Sequence, residues 1–177
     1  GELEFPVSDG QGKVFVNNEA DPADIAVIDV KSRTVTTRYK LAGCEEATGL
    51  AYIAAAKLLV SSCGNGVAKV LEAGTGKEVA SLTIGKGADA VIYDEARKLV
   101  FIPCGGSGVL EVISLADLAH IAVVQHVQTM PGSRTGTVDP GTGRLYLMSS
   151  KPDPNPAPGA PRGARLAGSY EVLVIGP

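Results

Sequence analysis

The sequence contains no tryptophan, and only 5% of its 177 residues are aromatic. Three cysteines are too few for a small scaffold held together by many disulfide bonds, and their spacing matches no zinc or redox motif. The longest apolar runs are short segments such as Leu50 to Ala56, far below the roughly 18 residues that a membrane-spanning helix needs, so we expect no membrane span. With 45% hydrophobic residues, the chain is predicted to form one domain with a buried core.

Neither sign of charge is in large excess, since 16 Lys and Arg residues oppose 19 Asp and Glu residues. Proteins that bind nucleic acid through its phosphates usually carry a basic excess. A nucleic-acid partner is therefore disfavoured.

A short phrase, made of a turn, a basic residue and an apolar strand, occurs four times along the chain. Its basic residues are Lys13, Lys57, Lys98 and Arg144, which are 44, 41 and 46 positions apart. A repeat in the low forties is the length of one propeller blade, in which four short antiparallel strands bury their faces only against neighbouring blades. The sequence therefore predicts an all-β chain that forms a β-propeller.

Each repeat predicts four strands, named A to D from the inside of the blade outwards. Apolar alternation and turn residues place A strands at 1–7, 48–53, 88–93 and 135–138, and C strands at 25–29, 67–71, 109–113 and 170–175. The B strands begin at the basic phrases, and D strands are predicted at 34–41, 78–84 and 121–127. Helix is expected only as a turn near Leu115 to Leu118, capped by Ser114.

The predicted blades span residues 1–41, 42–84, 85–129 and 130–177. Three of the four blades are predicted to be complete, and the fourth lacks its outer strand. An open stack of this kind exposes apolar faces and unpaired strand edges. We therefore expect a partial ring, whose remaining blades lie in another chain or were removed.

Four phrases follow one another along the chain, at Cys44 to Ala51, Ile84 to Asp89, Pro131 to Thr135 and Gly168 to Gly176. Together they resemble the corresponding phrases of the YncE-like family of YVTN-type β-propeller proteins. The resemblance implies that the chain corresponds to the C-terminal half of a longer propeller that is exported to the periplasm or secreted. It implies no set of catalytic residues, and some members of the family have been linked to DNA binding.

Cys44 and Cys63 flank the predicted A–B hairpin of the second blade, which places them roughly opposite each other. A disulfide bond between them is one interpretation, favoured if the compartment is oxidising, as the resemblance implies. Two buried free thiols are the other interpretation. Cys104 is the equivalent of Cys63 one blade further on and is expected to be unpaired, because neighbouring sheets lie about 10 Å apart.

The loops that enter the A strands bring Glu45, Glu46, Asp89 and Arg134 to the mouth of the predicted channel. Converging charges on loops that rigid blades hold in place are typical of a site for a small ligand or a cation. The alternative interpretation is a solvated rim in which Arg134 pairs with an acidic neighbour, and it is favoured because exposed ion pairs are common and weak.

His120 and His126 are both predicted on the third D strand, pointing to the same face. No nucleophile or further metal ligand is expected near them, so we interpret them as surface residues and predict no catalytic residue, no metal and no cofactor. The glycines of 105–108 and 64–66 are interpreted as hairpin turns, since no helix follows them. The stretch 151–161 holds five of the 11 prolines and is expected to be an exposed, extended excursion.

These observations favour a non-catalytic, extracytoplasmic propeller scaffold that binds a protein or a small ligand. The expected partner is an upstream propeller half or a second copy of the chain, because an uncovered blade face is a large apolar patch. One alternative is binding of single-stranded nucleic acid, as suggested for some members of the family. Another is a metal-dependent hydrolase or lactonase at the channel mouth.

Overall fold

We describe the fold from a computed structural model that covers residues 2–159 and 164–176. Its strands are β1 (Leu3–Ser8), β2 (Lys13–Asn18), β3 (Asp24–Asp29), β4 (Thr34–Lys40), β5 (Ala47–Ile53), β6 (Leu58–Cys63), β7 (Val67–Glu72), β8 (Glu78–Thr83), β9 (Ile92–Asp94), β10 (Leu99–Cys104), β11 (Val109–Ser114), β12 (Ala122–Gln128), β13 (Gly136–Val138), β14 (Leu145–Ser149) and β15 (Glu171–Ile175).

These strands form four antiparallel sheets, which we call blades 1 to 4 in chain order. Blades 1 to 3 each have four strands in sequence order, and blade 4 consists of β13, β14 and β15 within the described residues. The innermost strands of successive blades contact one another, β1 with β5, β5 with β9 and β9 with β13. The prediction of a partial β-propeller is confirmed, and within the described residues blades 1 to 3 are complete and blade 4 has no outer strand.

Aspartate side chains close three of the four A–B turns. Asp9, Asp94 and Asp139 each accept a hydrogen bond from a main-chain N–H two to four residues further on, at distances of 2.7–3.1 Å. Blade 2 has alanines in this turn, which main-chain bonds close instead, from Ala56 N to Ile53 O and from Lys57 N to Ala54 O. The turns are therefore local structures, which is why the repeat is visible in the sequence.

The apolar core lies between the blades. One cluster joins Phe15, Ile25 and Val27 of blade 1 to Leu50, Leu59 and Leu71 of blade 2. A second joins Ile53, Val60 and Val70 of blade 2 to Val100, Ile102 and Ile113 of blade 3. A third joins Phe101, Leu110 and Val112 of blade 3 to Leu145 and Leu147 of blade 4. Each sheet therefore gains its burial from its neighbours, as stacked repeats do.

A buried polar side chain also ties blade 1 to blade 2. The Asn17 amide donates hydrogen bonds to the carbonyls of Thr48 and Gly49, both at 2.9 Å, and accepts one from the Ser61 hydroxyl at 3.2 Å. At Gly49 the inner strands approach so closely that an added Cβ would lie 2.7 Å from the backbone of Ala90. Hydrogen bonds to main chain therefore fix the spacing of the blades near the axis.

Two local predictions were wrong. The residues after Ser114 form bends and turns rather than a helical turn, with Ala116 N donating to Ser114 Oγ at 3.3 Å. His120 lies before β12, so only His126 is on the outer strand of blade 3. The Asp117 carboxylate holds this turn, accepting a bond from Ala119 N at 2.9 Å and lying 2.7 Å from His120 Nδ1, which prevents an extended strand there.

The A strands of blades 3 and 4 are also shorter than predicted, because β9 and β13 each have three residues. Ahead of β9, only an isolated bridge between Ala88 and Cys104 continues the pairing. Among the described residues, no helix has the length and apolar character needed to cross a membrane.

We expect Asn17→Ala to lower the free energy of unfolding by about 2–3 kcal/mol, because it leaves buried polar groups of two blades without partners. Urea denaturation followed by circular dichroism measures the change. Asn18→Ala is the matched control, since no hydrogen bond of the Asn18 side chain is observed in the described part of the chain. Equal effects of the two substitutions would contradict the role of Asn17.

Candidate functional site

Connections between blades and the B–C turns lie on one side of the propeller, which we call the loop face. It comprises residues 41–46, 84–91 and 129–135, which enter blades 2, 3 and 4, the B–C turns at 63–67 and 104–109, and the described parts of the B–C connection of blade 4 at 149–159 and 164–170. Propellers present their variable residues on such loops because the blades beneath are rigid.

Main-chain hydrogen bonds link these loops both within a blade and from one blade to the next. Gly64 N donates to Glu45 O, Gly87 N donates to Gly64 O, and Gly105 N donates to Gly87 O, at 2.9–3.0 Å. Gly132 N then donates to Gly105 O at 2.7 Å. The glycine-rich turns are therefore fixed inter-blade contacts, and the side chains between them have defined positions.

The structure brings together two of the four residues predicted at the channel mouth. Asp89 Oδ2 lies 3.2 Å from Arg134 Nε, although the residues belong to different blades. The Arg134 side chain is 65% exposed, so this ion pair contributes little to stability. Glu45 and Glu46 are both exposed, and the Glu46 carboxylate lies against Gly64.

A group of three carboxylates, missed by sequence reasoning, lies on blade 1. The acidic groups of Glu2, Glu4 and Glu19 approach within 4.8 Å of one another. The pKa of Glu19 is raised, first by burial and then by the negative charges of Glu4, Glu2, Glu46 and Asp89. Because Glu2, Glu4, Glu19 and Glu46 belong to blades 1 and 2, the side of the propeller nearest these blades is acidic.

A basic groove lies at the other side of the loop face, between blades 3 and 4. Its volume is 690 Å³, and it is lined by Gly87, Gly105, Gly106, Pro131, Gly132, Arg134, Pro152 and Arg165. No carboxylate is among these lining residues. Arg165 gave no signal in the sequence, because only the path of the long B–C connection of blade 4 brings it to this groove.

The base of that connection is ordered by a short antiparallel ladder. Pro152 and Arg165 face each other in an isolated bridge, Asp153 N donates to Ala164 O at 2.9 Å, and Leu166 N donates to Lys151 O at 2.9 Å. The predicted excursion at 151–161 is mostly exposed as far as Gly159, while Ala160 and Pro161 lie outside the described residues. The ladder fixes where the Arg165 side chain leaves the main chain.

The cysteines form one disulfide bond and leave one free thiol. Cys44 and Cys63 are bonded, with Cα atoms 5.4 Å apart. Cys104 is buried and free, and its pKa is raised to about 12 by burial and by the charge of Glu111, against a lowering hydrogen bond from the main chain of Gly85. The thiol is therefore protonated and inert at neutral pH.

Each histidine pairs with a carboxylate away from the groove. His126 Nδ1 lies 2.5 Å from Glu111 Oε2, and the other oxygen of this buried carboxylate accepts a bond from Gly85 N at 2.9 Å. His120 pairs with Asp117 in an exposed turn. These arrangements stabilise local structure, and neither places an imidazole beside a nucleophile.

No protein-family model matches the sequence, and neither does any curated protein. Among solved structures, hydrazine synthase from Kuenenia stuttgartiensis superposes with a TM-score of 0.76 at 16% identity, over 99% of this chain and 47% of that chain. A chain of the mitotic checkpoint complex superposes with a TM-score of 0.69 at 13% identity, over 83% of this chain and 46% of that chain.

Both neighbours have β-propeller-type folds. At these identities the likeness establishes the fold alone, and the chain spans less than half the length of either neighbour. The narrower resemblance to the YncE-like family stays a prediction.

We expect native protein at pH 8 to show no reactive thiol, because Cys44 and Cys63 are bonded and Cys104 is buried and protonated. Unfolding without reductant should expose one thiol, and unfolding with reductant should expose all three. Ellman's reagent and intact mass after alkylation count them. Reaction of two or three thiols in the unfolded, unreduced protein would contradict the disulfide bond.

Because of the Cys104 thiol, we expect the free energy of unfolding to depend on pH above the ordinary cysteine pKa of 9.0. The unfolded chain ionises Cys104 near that pH, whereas the folded chain keeps the proton up to about 12. The contribution of the protonated Cys104 thiol to the free energy of unfolding is therefore fully present below pH 9.0, and it is lost as the pH rises towards about 12. Urea midpoints should fall over this range, and less steeply in Cys104→Ala.

Proposed function

We propose that the chain is a non-catalytic, extracytoplasmic binding scaffold whose propeller ring is completed by a second copy of itself. The observation that carries this proposal is the pair of open apolar faces at the two ends of the blade stack. The fold supports a binding scaffold in general. The two open apolar faces indicate that its first partner is a chain that can cover them.

The open face of blade 4 is formed by alternate residues of β14 and β15. Tyr146 faces Val174 and Met148 faces Val172 across the two strands, whereas Leu145 and Leu147 point to blade 3. Met148, Val172 and Val174 are 52%, 51% and 57% exposed. In blades 2 and 3, both sheet faces pack against a neighbouring blade. Met148, Val172 and Val174 are apolar like the residues of those packed faces, but no blade covers them in the described part of the chain.

The open face of blade 1 is formed in the same way. Val14 faces Ile28, and Ile28 faces Val35 across the next pair of strands, while Phe15 and Val27 point to blade 2. Val35 is 48% exposed. In every inner interface, the face of one blade that points to the next blade packs against the face of that next blade that points back. The open face of blade 4 points forward and the open face of blade 1 points back, so the two faces are complementary.

A two-fold axis satisfies both faces at once. It places blade 4 of each copy against blade 1 of the other, which closes the ring with two equivalent interfaces and leaves no end uncovered. The open faces are covered by a second copy of the chain, because each copy carries the face that complements the other. Apolar residues at the centre of such an interface carry most of its energy.

An oxidising compartment is supported by the Cys44–Cys63 bond, since structural disulfide bonds persist outside the cytosol. The acidic group on blade 1 opposes the binding of single-stranded nucleic acid across the channel mouth, because a polyanion there would meet Glu2, Glu4 and Glu19.

We expect the protein to sediment as a dimer at micromolar concentration, and Val174→Lys to shift it to monomer, because a buried charge at the interface is costly. Analytical ultracentrifugation measures both. Val124→Lys is the control, since Val124 is 58% exposed on the outer strand of blade 3, away from both open faces. A monomeric parent protein, or equal dissociation by the control substitution, would overturn the proposal.

A further inference from the structure

We propose that the groove between blades 3 and 4 binds a phosphate group through Arg134 and Arg165. This inference names a ligand class for the loop face, and to that extent it rests on the proposed binding function. It does not depend on how the ring is closed, because every residue involved lies in one copy.

The floor of the groove is almost bare main chain. Gly87, Gly105, Gly106 and Gly132 contribute four of its eight lining residues, and the Arg134 and Arg165 side chains lie directly against Gly105 and Gly132. The bond from Gly105 N to Gly87 O within blade 3 and the bond from Gly132 N to Gly105 O between blades 3 and 4 hold this floor in place. Because these N–H groups are already bonded, the donors that the groove offers to an oxyanion come from the arginine side chains.

Both guanidinium groups have donors to spare. Arg134 contacts Asp89 through Nε, and Arg165 donates from Nη1 to Ser150 O at 3.2 Å. A guanidinium has five N–H donors, and among the described residues only one nitrogen of each arginine is engaged, so most donors remain available for a ligand. Arginine forks match the paired oxygens of phosphate, and the resulting charge-assisted bonds are stronger than neutral ones.

Arg165 is positioned before any ligand arrives. The Pro152–Arg165 bridge holds its main chain, Ser150 O holds its head group, and the guanidinium lies directly against Gly132, where an added Cβ would collide with it. The φ of Gly132 is +92°, a conformation that other residues rarely adopt. Preorganised donors bind an anion without the entropic cost of ordering a long side chain.

The basic groove is specific to blade 4. Where the chain enters blades 2 to 4 lies a small buried residue, which is Ala47, Ala88 or Ser133. The residue after it is Thr48 in blade 2, Asp89 in blade 3 and Arg134 in blade 4, so only blade 4 has a basic residue at this position. Blade 4 also has the long B–C connection that supplies Arg165. The cationic pair is therefore a local feature of this blade and not a general property of the repeat.

Two-dimensional NMR of the full chain, titrated with inorganic phosphate or phenyl phosphate at constant ionic strength, tests the proposal. We expect saturable shifts at the amides of Gly105, Gly106 and Gly132. Arg165→Gln and Arg134→Gln should each weaken binding by about tenfold, while Arg144→Gln, an exposed charge on the opposite face, should leave it unchanged. Thermal melts verify that each variant is folded.

A third variant separates ligand binding from a structural role of the arginines. Asp89→Asn removes the charge that competes for Arg134 and should tighten phosphate binding by about threefold. The absence of saturable shifts with both probes, or equal weakening by Arg144→Gln, would overturn the proposal. Neither result depends on the dimer, so the phosphate site and the closed ring fail or succeed separately.

Discussion

The whole structure depends on the packing of one β-sheet face against the next. No blade has a core of its own, since the three apolar clusters all lie between neighbouring sheets. Blades 2 and 3 are covered on both faces and contain the most completely buried strands, such as β6. Blades 1 and 4 are covered on one face only. The open faces, and the need for a partner there, follow from this single constraint.

The same stacking organises the loop face. Because each B–C turn donates or accepts main-chain hydrogen bonds with the connection into the next blade, residues far apart in sequence become neighbours. Asp89 meets Arg134 for this reason, and the glycines of successive turns form a continuous floor. The charges then separate into an acidic side near blades 1 and 2 and a basic groove between blades 3 and 4. This polarity suits a small anion better than an extended polyanion.

Sequence reasoning succeeded where the determinants are local. Period-two alternation and Asp or Gly turns repeat in every blade, so the strand order and the three-stranded blade 4 of the described residues were predictable. The proximity of Cys44 and Cys63 followed from the hairpin between them, and their bond is present in the structure. The turn at Asp117 was mistaken for a helix and His120 for a strand residue, because short apolar segments fit several conformations.

The functional residues outside the repeat were not predictable. Glu2 and Glu19 meet only because Glu19 N donates to Glu2 O beside the β1–β2 ladder, and Arg165 reaches the groove only through an irregular connection. Such positions depend on the path of the chain in space, which no periodic pattern encodes.

Hydrogen exchange measured by mass spectrometry at two protein concentrations tests the central claim most directly. If stacking supplies the stability, β6, β7, β10 and β11 exchange slowest at both concentrations, and β2, β3, β14 and β15 become more protected as the concentration rises. Uniform protection across the four blades, independent of concentration, would contradict the account.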